Sequence, residues 1–134
     1  MRLRNWDVRL FHWADGMLGK PFKWGTTDCG MLIRTGHVAM YGEDPFGWPI
    51  YKTKLGAMKA LKKVGGISNA LETACVEVGR RFARTGDVVL ITHKGEYGMG
   101  IVVGENVVGT YPGEDVQLVP LAVVPDDATF WRMA

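Results

Sequence analysis

Apolar residues near the start of the chain recur at steps of three and four: Leu3, Trp6, Leu10, Trp13, Ala14, Met17 and Leu18. That spacing lays one apolar stripe along an amphipathic helix, which Gly19 and Pro21 end. After the turn "KWGTTD", the stretch "CGMLIRTGHVAMYG" predicts a second helix. Thr27 or Asp28 is its N-cap, Met31, Leu32, Val38 and Met40 supply its apolar surface, and Gly42 closes it. "EDPFGWPIYKTK" holds two prolines and a glycine and predicts an irregular crossing loop. "LGAMKALKKVGG" and "ISNALETACVEVG" predict two short helices joined at Gly65–Gly66, with Ser68 or Asn69 capping the second. Cys75 then falls on an apolar helix face near Ala74 and Val78.

From Thr85 the period changes. "GDVVLIT" is a β-branched run, "HKGEY" a turn and "GMGIVVG" a second strand. "ENVVGTY" and "VQLVPL" follow as strands separated by turn residues, and "FWRM" is a short closing strand. Helices first and an antiparallel meander afterwards predict an α+β fold, N-terminal helices packed on a C-terminal antiparallel sheet, in one domain over residues 1–134.

Composition narrows the function classes. With 47% hydrophobic and 22% charged residues the chain reads as a globular protein. Its 18 glycines, about twice the usual share of roughly 7%, point to tight turns and closely packed strands. A net charge of +2, with basic residues scattered, argues against a nucleic-acid partner. Lys59, Lys62 and Lys63 form the one local cluster and read as a solvated helix face. No apolar run approaches the ~18 residues of a membrane span, and the first sixteen residues lack the pattern of a signal peptide. Two cysteines make no disulfide framework, and their use fits a reducing cytoplasm. His12, His37 and His93 share no ligand spacing with either cysteine, so no metal site is expected, and no cofactor.

The candidate chemistry centres on Cys29. A cysteine acts as its thiolate, and a helix N-terminus favours that charge. Asp28 opposes ionisation if its carboxylate faces the sulfur, or caps the helix if it turns to the backbone. A catalytic thiol also needs an imidazole within reach and a group to orient it. His37 lies eight residues along the same helix, about 12 Å away at 1.5 Å per residue, and cannot serve. Nothing aims His12 at the sulfur. If "KGEY" is a four-residue hairpin loop, His93 pairs across from Gly98 and shares its face; a slip of one residue would flip it away. Trp24 and Tyr51 either line the cleft or pack the helix on the sheet.

"GKPFKWGTTDCG" resembles the "G-x-P-Y-x-W-G … D-C-S-G" signature of the NlpC-type, papain-like cysteine peptidases that cut bacterial cell-wall peptides. "TGDVVLI" is similar to that family's "GDLVFF" strand, and "GMGIVVGENVVGT" to its "HVGIYLG" strand and the next one. A narrower likeness, through Asp44-Pro45, Tyr51, Gly86-Asp87 and Trp131-Arg132, is to short NlpC-like phage proteins of the tail tip. The resemblance implies a papain-like core with Cys29 at the nucleophile, and Trp24, Asp28, Gly30, Tyr51, Gly98 and Thr110 are the candidates to line its cleft. The general base would fall on Gly98 and the orienting group on Thr110, so the usual histidine is missing.

Two main readings follow. In the first the chain is a structural component of the tail tip of a phage or phage-like particle, a pseudoenzyme on a peptidase-like scaffold. It is made in the host bacterial cytoplasm, and its partners are other tail proteins (hub, distal tail and central fibre). In the second it is a cysteine peptidase or amidase cleaving peptidoglycan during phage entry, with Cys29 attacking, His93 as base and helix-terminal N–H groups holding the oxyanion. A third reading is a module that binds wall peptides in the cleft without cutting them.

Overall fold

The computed structural model describes residues 1–93 and 95–134, with His93 described by its backbone alone. Four helices come first: α1 Trp6–Met17, α2 Cys29–Tyr41, α3 Lys54–Lys63 and α4 Ile67–Glu72. Six strands follow: β1 Cys75–Val78, β2 Val88–His93, β3 Glu96–Val103, β4 Asn106–Thr110, β5 Gln117–Pro120 and β6 Thr129–Met133. All pairings are antiparallel, in the order β1-β6-β2-β3-β4-β5. The fold is therefore the expected α+β arrangement of N-terminal helices and a C-terminal antiparallel sheet. β2 to β5 form the meander, and the chain then returns to lay β6 on the free edge of β2.

The main core lies between the sheet and the first two helices. Leu10 and Ala14 of α1 and Leu32, Ile33 and Met40 of α2 meet Val88, Leu90, Met99 and Ile101 of the sheet. Alternate strand residues point to opposite faces, and Val89, Val102, Val107 and Phe130 build a second core on the far side. That side is roofed by Val124 and the short turns Arg80–Phe82 and Leu121–Val123. The Arg80 guanidinium clips them together, donating to the carbonyls of Leu121, Val124 and Pro125 at 3.0, 2.6 and 2.8 Å.

Two of the motif positions are structural fasteners. Asp87 is fully buried and receives Arg132 through both carboxylate oxygens, at 2.9 and 2.8 Å, and the Arg84 backbone N–H at 2.8 Å. This bidentate pair ties the start of β2 to β6, and paired hydrogen bonds are what make such a buried carboxylate tolerable. Asp44 pairs with the mostly buried Arg34 at 2.7 Å and accepts the Phe46 N–H at 2.9 Å. It pins the 42–53 loop to α2.

The structure corrects three expectations. The fourth helix stops at Glu72, and "CVEV" is the edge strand β1, paired Cys75↔Met133 through Val78↔Phe130. Its β-branched valines suit a strand, and Cys75 is buried from the sheet rather than from a helix face. Neither Ser68 nor Asn69 caps α4: its N-cap is Gly66, and the Asn69 amide donates to the Val64 carbonyl at 2.6 Å. The β2–β3 hairpin is also shorter than expected. His93 pairs with Glu96, and Gly98 pairs with Ile91, so His93 does not oppose Gly98. Gly95, at φ 78°, allows the tighter turn that this register needs. Among the described residues no helix is long and apolar enough to cross a membrane.

Candidate functional site

Cys29 is the first residue of α2, placed there by a well-made cap. Asp28 adopts an extended conformation, and its carboxylate accepts the Gly30 N–H at 3.0 Å and the Met31 N–H at 3.2 Å. Its other oxygen accepts the Gly25 N–H at 2.7 Å, and the Tyr51 hydroxyl donates to the first. Asp28 thus turns toward the backbone, the second of the two orientations open to it. It is fully buried with every oxygen engaged.

Two glycines let the loops close on this carboxylate. A Cβ on Gly25 would fall 2.7 Å from the Tyr51 carbonyl oxygen and 2.8 Å from the Lys52 Cα, and Gly25 has φ 82°. A Cβ on Gly30 would fall 2.5 Å from the Tyr51 hydroxyl oxygen.

The half-buried Cys29 sulfur has the Tyr97 carbonyl 3.9 Å away. Burial of the sulfur and then the Asp28 carboxylate beside it push the thiol up to about 12; the Gly30 and Cys29 amides offset part of this. The helix terminus here does not produce a reactive thiolate, because burial and the adjoining carboxylate outweigh what the Gly30 and Cys29 amides contribute. Burial followed by the hydrogen bond to Asp28 likewise raises Tyr51 well above the usual phenol range, so it stays a donor.

Around the sulfur opens a cleft of about 400 Å³. Trp24, Asp28, Cys29, Gly30 and Tyr51, all candidates for the cleft, line it together. Trp48 and Met99 add to its walls, as does the side of α3 that carries Met58 and Leu61. Sequence reasoning missed these; the signal available for α3 was its mixture of apolar residues and lysines, read there as a solvated face.

Gly98 and Thr110 lie elsewhere. Both line a second hollow of about 210 Å³, with Ile91, Tyr111 and Val119. A Cβ on Gly98 would run into the Tyr111 ring. The Thr110 hydroxyl donates to the Glu114 carbonyl at 2.8 Å, bracing the turn between β4 and β5. Position 98 therefore has no room for an imidazole beside Cys29, and Thr110 is not placed to orient one there.

The histidines divide as follows. His37 is a core residue, 1% exposed, with Nδ1 2.7 Å from the Ile33 carbonyl and its ring against Tyr41 and Phe46. Burial holds it down to about 4, so it is neutral. His12 is exposed on α1. The His93 side chain lies outside the described residues, although Gly95 and Glu96 of the same hairpin line the cleft. Among the described residues no group of three or more histidine, cysteine or carboxylate side chains is arranged to hold a metal ion.

Residues 1–133 match the family described as "Domain of unknown function (DUF6950)". The chain belongs to the DUF6950 family. No curated protein matches it. In this DUF6950 chain the cleft offers apolar walls, a protonated thiol and a carboxylate already saturated with donors, an arrangement suited to holding a ligand.

Proposed function

We propose that this DUF6950 chain is a structural component of a phage or phage-like tail tip, a degenerate NlpC-like scaffold whose cleft no longer hydrolyses peptides. The observation that carries the loss of chemistry is the state of Cys29: a thiol kept protonated by its burial at the start of α2 and by the Asp28 carboxylate beside it. The family's histidine position is closed by Tyr111, and His37 is committed to the core. A fold persists through its packing while a few reactive side chains change, and here the motif residues Asp44, Asp87 and Arg132 all hold the fold together. The place in a particle comes from the resemblance of "GKPFKWGTTDCG" and the later motifs to tail-tip proteins, and its partners are the adjoining tail proteins.

The test is mass spectrometry of purified peptidoglycan incubated with wild type, Cys29→Ala and His93→Ala, together with proteomics of purified particles. The proposal expects no released fragments and the chain present in particles. Fragments released by wild type and lost in both variants would establish the hydrolase instead, with His93 as its base. Absence of the chain from particles would end the structural reading.

A further inference from the structure

The wall of the cleft built by α3 is unlike the others. None of its residues is buried, and Leu55 and Met58 are 62% and 59% exposed, with Ile50 just before them at 73%. From Pro45 to Leu71 the chain carries Lys52, Lys54, Lys59, Lys62 and Lys63 and no acidic residue. Among the described residues none of these lysines pairs with a carboxylate. Lys54 lies on the cleft wall itself. It is also the first residue of α3, where the helix dipole and free N–H groups add to its positive charge.

Two carboxylates line the cleft against the five lysines of this segment. Asp28 already receives the Tyr51 hydroxyl and three backbone N–H groups. Glu96, on the β2–β3 hairpin, is the other carboxylate along the cleft. The rest of the lining is dominated by aromatic and aliphatic side chains.

We infer that the cleft binds an anionic amphiphile, a medium-chain carboxylate with its alkyl chain among Trp24, Trp48, Met58, Leu61 and Ile67 and its head at Lys54. The volume sets the size. An apolar cavity of about 150 Å³ holds a benzene ring, so about 400 Å³ takes a chain of about ten carbons. The charge sets the head group, because a cation would meet Lys54 and a neutral chain would leave it unused. Binding is non-covalent, and the protonated Cys29 thiol serves as part of the floor. The inference concerns a ligand of the cleft and holds independently of the place in a particle.

Trp24 and Trp48 give the readout. Tryptophan fluorescence is titrated with decanoate, decanol and decyltrimethylammonium, each below its micellar range, using wild type, Lys54→Ala, Lys54→Glu and Ala57→Trp. Decanoate is expected to give a saturable change, about fivefold tighter than decanol and about fivefold weakened by Lys54→Ala, with a larger loss in Lys54→Glu. Decyltrimethylammonium should bind weakest, and Ala57→Trp, which fills the cleft from α3, should abolish the signal. Lys54 is exposed, so its variants keep the fold, as far-ultraviolet circular dichroism will show. Equal affinity for decanoate and decanol, or unchanged binding in Lys54→Glu, would overturn the inference. So would adhesion to phosphatidylglycerol vesicles without saturable binding of decanoate.

Discussion

Lowering the pH from 7 to 5 should unfold this protein more easily, and His37 should account for most of the change. The imidazole is 1% exposed, held down to about 4 by burial against an unfolded value of 6.5. Hydrogen bonding to Ile33 and the Asp44 carboxylate favour the charged ring, and Arg2 opposes it, but burial wins. A group whose native pKa is depressed leaves stability intact above its unfolded value, and that stability is lost as pH falls toward the native value. The window is therefore about 6.5 down to about 4. Each tenfold difference in proton affinity between the native and unfolded states is worth about 1.36 kcal/mol. The full loss is then about 3 kcal/mol, of which about 2 kcal/mol falls between pH 7 and 5. With a urea slope of about 2 kcal/mol/M, the unfolding midpoint should drop by about 1 M. The assay is urea denaturation at half-unit pH steps for wild type and His37→Phe. The variant's absolute stability will differ because the core is repacked, so the comparison is of slopes with pH. A wild-type midpoint that stays flat to pH 5, or a variant that falls as steeply, would refute the reasoning.

Two further outcomes follow from the contacts around the site and its frame. Arg132→Ala strips the buried Asp87 of its bidentate partner and should cost about 3 kcal/mol in urea unfolding; a cost below about 1 kcal/mol would contradict the role given to this pair. Gly30→Ala places a methyl 2.5 Å from the Tyr51 hydroxyl oxygen and should cost about 2 kcal/mol by breaking its hydrogen bond to a charged carboxylate. In a Tyr51→Phe background the same substitution should cost much less, and strict additivity would argue against the contact.

The sequence made the frame legible because local signals agreed with the tertiary fold. The three-four spacing of Leu10, Ala14 and Met17, Gly42 at the end of α2, and the valine runs of β2 to β4 each had one reading, and the start of α2 was open only between Thr27 and Asp28. "CVEV" did not, because four residues cannot separate a strand from a helix end by period alone, and only pairing with the distant β6 decides it. The hairpin register was ambiguous for a similar reason: a tight turn at Gly95 and a four-residue loop both fit the sequence between the two strands. At the site, the positions of Asp28, Cys29 and Gly30 followed from the helix start. The bond from Tyr51 to Asp28 did not, since it joins residues 23 apart across an irregular loop. Asp87 and Arg132 stood out as motif positions, but only the strand order brings them together.

The most direct test of the central claim is the pH dependence of Cys29 alkylation. Cys75→Ala removes the other free thiol, and the site of iodoacetamide modification is read by mass spectrometry. A thiol pushed up to about 12 is about a thousandfold less ionised at pH 7 than one at its ordinary value. The rate should therefore keep rising from pH 6 to 10 without levelling. A rate that reaches its plateau below pH 8 would mean that the thiol is activated, and the cleft would have to be read as a working active site.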